Sequence, residues 1–359
     1  MNTMRISDRQ QRLAARQRGE HCAAASLVQL LCGVSVLRTG LTQVLPLAGG
    51  AAWWTLLLCL LPGTAVLLLA RTAMGMTGVR TLPDLVRRVL GRWGAWALSW
   101  GMAALLLTDA AASLTALVTL FTEGVGTRGT QLTLALLTGG ALLASLHRDG
   151  LPRGTYLLRW MLLAGAAVVA ASQLRHGRVS NLFPLQGGGL QEMSAALRAG
   201  VSVAWPLLLL LFLPGETAKD TLRDAIPAAL APVAVLLCIG LIVPHERLAE
   251  NAALADTLLL PARYASPAVR LVWRCAVMLA FFLAIGGALQ WGTELLCAPM
   301  RRAPRWLPGV ALAALTATQA LDTPALWRLI GRCAPWFLLA PAAVVVPCAI
   351  VAIIRRDRS

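Results

Sequence analysis

Apolar runs long enough to cross a membrane follow one another along this chain, separated by short segments that carry the charges. They lie at 22–46, 51–70, 94–121, 130–147, 155–174, 195–214, 225–243, 270–298, 306–321 and 333–354. A helix needs about 20 mostly apolar residues to cross a ~30 Å hydrocarbon core. The pattern therefore predicts an all-α polytopic membrane protein with about ten transmembrane helices, the shortest of them 306–321. A tail at 1–21 precedes the first span and a tail at 355–359 follows the last. The first apolar stretch is long and no small-residue cleavage site stands out, so it reads as a retained span and not as a signal peptide. The longest connection, 244–269, is punctuated by Pro244, Pro261 and Pro267 and leaves no room for a soluble domain.

The segment 71–93 has a pattern of its own. Leu82, Leu85, Val86, Val89, Leu90 and Trp93 recur at helical spacing, with Arg87, Arg88 and Arg92 between them. Two structures satisfy that pattern: a short amphipathic helix lying in the membrane interface, or an extension of the third span.

Composition agrees with the membrane reading. Charged residues are 13% of the 359 positions and mean hydropathy is +0.69, against roughly 25% charged in soluble domains. The net charge of +16 does not indicate nucleic acid, because the cations cluster in turns between apolar runs, where topology-setting residues belong. Arg and Lys divide 20 to 7 between alternate connections. That excess places both termini in the cytoplasm, which requires an even number of spans. The cysteines form no C-x-x-C pair, and most sit in or beside apolar runs, where a thiol packs as a small hydrophobe. His21, His147, His176 and His245 are scattered and match no metal-ligand spacing. No nucleophile elbow, phosphate loop or acid pair is present, so neither enzyme chemistry nor a cofactor is expected.

Inside the spans, two places stand out. The first span carries Gly33-Val34-Ser35, then Arg38 and Gly40; the sixth carries Ala204-Trp205-Pro206 after Ser202. Proline removes a backbone donor and clashes with the preceding turn. Open backbone at membrane depth is tolerated only where protein or a cavity satisfies it. Breaks in spans one and six are the corresponding positions of two five-span halves, the pattern of inverted-repeat transporters whose broken helices line the substrate site. The halves would be about 22–174 and 195–354. Arg38 is costly at mid-span, by ~2.5–3.5 kcal/mol on insertion scales. It holds a ligand carboxylate, pairs with Asp109 of the third span, or snorkels outward if the first span ends early. Asp109 is a candidate for ion coupling or gating. Gly139-Gly140 and Gly286-Gly287 permit close helix approach.

Several stretches resemble the spore-germination permease family, a branch of the amino acid–polyamine–cation transporter superfamily. Ile6-Ser7-Asp8-Arg9-Gln10 is similar to a family opening before span one, and Leu90-Gly91-Arg92-Trp93 to the start of span three. Asn181-Leu182-Phe183-Pro184 with Gly189-Leu190 resembles the segment before span six, and Leu211-Phe212-Leu213-Pro214 its close. The chain departs at Leu208, where members often carry an acid, and at Thr39-Gly40, where members tend to have Leu-Pro.

The resemblance implies a five-plus-five inverted repeat in the inner membrane of a bacterial spore. It implies a permease-like subunit of a nutrient-germinant receptor, with a second membrane subunit and a lipoprotein subunit as partners. A small nutrient such as an amino acid would contact Gly33, Val34, Ser35, Arg38, Asp109, Ala204, Trp205 and Pro206. A secondary amino-acid or amine transporter coupled to a proton or sodium ion, and a ligand-blind assembly subunit, are the alternatives.

Overall fold

The apolar periodicity of this chain resolves into helices throughout. The computed structural model describes residues 24–146, 177–183, 189–213, 233–243, 266–297 and 323–357, with single residues at 155, 167, 171, 226, 230 and 310. Every regular element among the described residues is helical. Among the described residues five helical stretches are long and apolar enough to cross a membrane: Ala24–Thr77, Leu82–Val118, Leu190–Phe212, Pro267–Cys297 and Pro335–Ile354. The chain is a polytopic all-α membrane protein.

Helix α1 (24–39) buries Leu27, Val28, Leu31, Cys32, Val34 and Val36. It continues into a π-wound turn, Gly40–Val44, in which the Leu45 N–H donates to the Gly40 carbonyl. The cause lies just downstream. Pro46 in the short helix α2 (Leu45–Ala48) has no N–H, and its ring crowds the carbonyl of Thr42 four residues back. Widening the turn relieves that clash, and π-bulges of this kind gather at functional sites. Gly40 also leaves room for Leu236, whose Cδ1 would stand 2.8 Å from a Cβ there. A 3₁₀ turn at Gly49–Ala51 starts the return; Gly49 has φ +53, a conformation that side chains disfavour.

Helix α3 (Ala52–Thr77) follows and stops on Gly78, whose left-handed backbone lets its N–H bond Met74. Helix α4 begins at Leu82 and is helical to Leu146. Its first turns bury Leu82, Leu85 and Val86 and leave Arg87 and Arg88 exposed. Gly91, at φ +79, swivels the backbone between this amphipathic segment and the apolar remainder. The segment 82–93 is helical and joins the third span through a glycine joint. The helix also runs through 122–129, where a connection between the third and fourth spans is expected. That stretch contains glycines but no proline, and a glycine in a helix costs only about 1 kcal/mol. The expected fifth and ninth spans and the N-terminal tail lie largely or wholly outside the described residues, while α8 runs on into the expected C-terminal tail as far as Asp357.

Helix α5 (Leu190–Gly200) passes directly into a 3₁₀ segment, Val201–Phe212, whose residues Ser202 through Leu211 are buried. Helix α6 (Val233–Ile242) is short and apolar. Helices α7 (Pro267–Cys297) and α8 (Thr323–Asp357) complete the described bundle. Lipid tails are as apolar as leucine, so helices in a bilayer associate by close packing more than by water exclusion. Small residues supply that closeness here. A Cβ on Gly63 of α3 would meet the Ala204 Cβ at 2.5 Å, and one on Gly200 would meet the Cys59 Sγ at 2.6 Å. The 3₁₀ segment is thereby laid along α3, while α7 lies along α4. Asn181 ties the far end together: its Nδ2 donates to the Leu241 carbonyl at 2.9 Å, and its own carbonyl lies against Gly50.

Candidate functional site

One polar cavity opens where α1, its π-turn, α4, the 3₁₀ segment and α8 converge. Ser35, Arg38 and Thr39 line it from α1, and Gln43 from the π-turn. Thr108, Asp109 and Ala112 line it from α4, Ser202 and Trp205 from the 3₁₀ segment, and Phe337 from α8. Helical spacing explains the grouping: Ser35 and Thr39 are four residues apart, as are Asp109 and Ser113, so each pair shares one helix face.

The centre of the site is an ion pair. The Arg38 Nη2 donates to Asp109 Oδ1 at 2.5 Å. Its Nη1 donates to the Asp109 carbonyl at 3.0 Å and to Ser113 Oγ at 2.8 Å. The two side chains are 6% and 3% exposed. A carboxylate, a carbonyl and a hydroxyl thus converge on one guanidinium, whose planar fork suits such a set. A pair this buried is held together by its mutual neutralisation; removing one partner strands the other's charge at a cost of about 3–5 kcal/mol.

Two further features bear on what the site can do. The free volume at its centre is about 10 Å³, roughly one water molecule, so the pair fills most of the cavity. Gln43 Oε1 is buried and, among the described residues, has no hydrogen-bond partner. A buried acceptor left without a donor is uncommon and calls for an explanation; here it borders the cavity.

Of the residues expected from sequence, Ser35, Arg38, Asp109 and Trp205 line this cavity. Gly33, Val34, Ala204 and Pro206 do not. The backbone at Gly33-Val34-Ser35 is regular α-helix, and Val34 is buried. A lone glycine is too weak a breaker to interrupt a packed helix; the irregular turn falls instead at Gly40–Val44, upstream of Pro46. Ala204 faces Gly63 of α3. In the sixth span the irregularity does coincide with Pro206, as a tightening into 3₁₀ winding and not as a gap. Runs of 3₁₀ helix longer than three or four residues are uncommon, and this one extends over 12.

The expected set lacks Gln43, Ser113 and Phe337, and it lacks Arg71 altogether. Arg71 was expected at the start of a polar loop, yet it sits inside α3 and is only 4% exposed. Its Nη2 donates to the Leu210 carbonyl at 3.2 Å and the Leu213 carbonyl at 3.3 Å. It thereby caps the end of the 3₁₀ segment, where the last carbonyls lack partners within the helix.

No protein-family model and no curated protein matches the sequence. Solved structures do match its fold. A mutant of the manganese transporter of Eremococcus coleocola is similar with a TM-score of 0.53 at 14% identity, over 93% of this chain and 78% of that one. The same transporter in complex with an aromatic bis-isothiourea substituted compound is similar to the same degree, over the same shares. At this identity the likeness shows the fold alone, which the chain shares with those structures.

Proposed function

We propose that this chain is the ligand-sensing, permease-like subunit of a spore nutrient-germinant receptor, and that its ligand is a small zwitterion such as an amino acid. Three things support the reading: the transporter-like fold, the sequence resemblance, and above all the closed Arg38–Asp109 pair inside a polar cavity. With room for about one water, a nutrient enters only by parting the pair. A neutral sugar would leave two buried charges poorly compensated. A simple anion would satisfy Arg38 and strand Asp109; a cation would do the reverse. An amino acid replaces both interactions at once, its carboxylate on Arg38 and its ammonium on Asp109. Gln43 Oε1, an acceptor without a donor, would take a further ammonium hydrogen. On this reading the protein spans the spore inner membrane with both termini cytoplasmic, and works beside a second membrane subunit and a lipoprotein subunit.

A divalent metal fits the same cavity poorly. Among the described residues no group of three or more His, Cys, Asp or Glu comes together, and the cavity's carboxylate already faces a fixed positive charge. The transporter-like fold favours a second reading, a secondary transporter of the same class of ligand. Equilibrium binding of radiolabelled amino acids to the purified protein tests the site, with Ser35→Trp filling the cavity. Binding that Ser35→Trp abolishes supports the assignment; equal binding by that variant rejects it. Uptake into proteoliposomes then separates the readings, since a sensor binds without accumulating.

A further inference from the structure

Around the joint between the amphipathic segment of α4 and its apolar remainder lie exposed basic and aromatic side chains that the site above does not use. Arg80, Arg87 and Arg92 are exposed, and among the described residues none of them is in an ion pair. Arg88 is otherwise engaged, donating to the Thr77 carbonyl at the end of α3. The single acid of this first turn, Asp84, is bonded by Thr81. Below the arginines runs an indole ladder. The Trp93 and Trp96 rings meet edge to face with centroids 4.8 Å apart, and Trp96 and Trp100 are stacked at 6.4 Å. Trp93 is 76% exposed and Trp100 46%. The Arg92 guanidinium lies 4.1 Å from the Trp96 centroid, which holds a positive charge at the top of the ladder. Ala97, Gly101 and Ala104 are exposed on the same helix face, and a Cβ on Gly101 would meet nothing within 4 Å. The outer end of Trp100 is fixed by its Nε1 donating to the Leu296 carbonyl of α7 at 3.4 Å.

We infer that this surface is a binding site for one anionic phospholipid. The phosphate lies between Arg87 and Arg92, whose forked donors match its oxygens. The glycerol region rests on the Trp93–Trp96 indoles, and an acyl chain runs down the shallow track over Ala97, Gly101 and Ala104 beside Trp100. The charge selects the lipid: the ladder alone would suit any acyl chain, but the arginines ask for a headgroup without a compensating amine. Gly91 matters because its left-handed backbone turns the helix between Arg87 and Arg92. This inference does not depend on the ligand proposed for the cavity.

The test is native mass spectrometry of the full chain after equilibration with equal amounts of phosphatidylglycerol and phosphatidylcholine. The expected result is preferential retention of phosphatidylglycerol. Arg87→Gln and Arg92→Gln each lower that preference about fivefold, the worth of one cation near an anionic surface. Gly101→Leu, which blocks the acyl track and leaves the arginines intact, lowers retention as well. Excess inorganic phosphate leaves the bound lipid in place. Equal retention of the two lipids overturns the inference, as does a preference that survives in the R87Q/R92Q double variant. Displacement by inorganic phosphate, measurable on the unaltered protein, also overturns it, because the site would then read a phosphate ion and not a lipid.

Discussion

Among the described residues two arginines are buried in membrane-crossing helices, Arg38 in α1 and Arg71 in α3, and they donate to different kinds of group. Arg38 faces a side-chain carboxylate across a polar cavity. Arg71 faces the backbone carbonyls of Leu210 and Leu213. A carboxylate on a neighbouring helix can be exchanged for a ligand's carboxylate without unwinding anything. Carbonyls at a helix end cannot be exchanged; they carry only partial charge and belong to the fold. Burial of an arginine therefore does not by itself mark a binding site. On the proposed reading Arg38 would meet a ligand, whereas Arg71 helps hold the end of the 3₁₀ segment against α3.

Breaking the first arrangement has the largest effect. Arg38→Met or Asp109→Leu alone strands a buried charge and lowers stability by about 3–5 kcal/mol, measured by thermal unfolding in detergent. The Arg38→Met/Asp109→Leu double variant regains most of that loss yet binds no ligand. A double variant as unstable as the singles would show that the two side chains are not one unit. Arg71→Met removes the charged donor that bonds the Leu210 and Leu213 carbonyls, worth about 2–3 kcal/mol. It lowers stability by that amount and leaves amino-acid affinity unchanged; a loss of affinity without loss of stability would assign Arg71 to the site. Gly63→Val forces a side chain against Ala204 and destabilises by about 2 kcal/mol through overpacking, with the same neutrality toward the ligand. The smallest change in stability is expected for Gln43→Leu, which removes an acceptor that lacks a donor. Stability holds or rises slightly, while affinity for an amino acid falls about tenfold, the worth of one hydrogen bond to an ammonium.

The membrane-spanning pattern was legible because a bilayer imposes a minimum length on apolar runs, and five such stretches appear among the described residues, although α4 continues through the connection expected at 122–129. Arg38 and Asp109 were legible as charges that an apolar run does not tolerate without a reason. Their meeting was one of the open readings and is the one the structure adopts. Sequence flagged Gly33-Val34-Ser35 and Gly40 as breakers in the first span; the backbone is regular at the former, and the irregular turn begins at Gly40. The steric cause is Pro46, which acts four residues back on Thr42 and produces the π-turn at Gly40–Val44. Arg71 escaped because its position at a span boundary reads as a polar loop, and only the register of α3 against the 3₁₀ segment shows the carbonyls it meets. Gln43 and Phe337 carry no local signal at all. They reach the cavity through the winding of the π-turn and the packing of α8, which no sequence period encodes.

The central claim is that a zwitterion opens the Arg38–Asp109 pair. The most direct measurement is the thermal unfolding of the purified full chain against a panel of amino acids, matched monocarboxylates, matched amines, sugars and nucleosides. A ligand bound to the native fold at one hundred times its Kd raises stability by about 2.7 kcal/mol. The account predicts stabilisation by at least one amino acid, none by its carboxylate-only or amine-only analogue, and loss of the effect in the Arg38→Met/Asp109→Leu variant. Stabilisation by a sugar, by an amine alone, or by an amino acid acting equally on that double variant would contradict it.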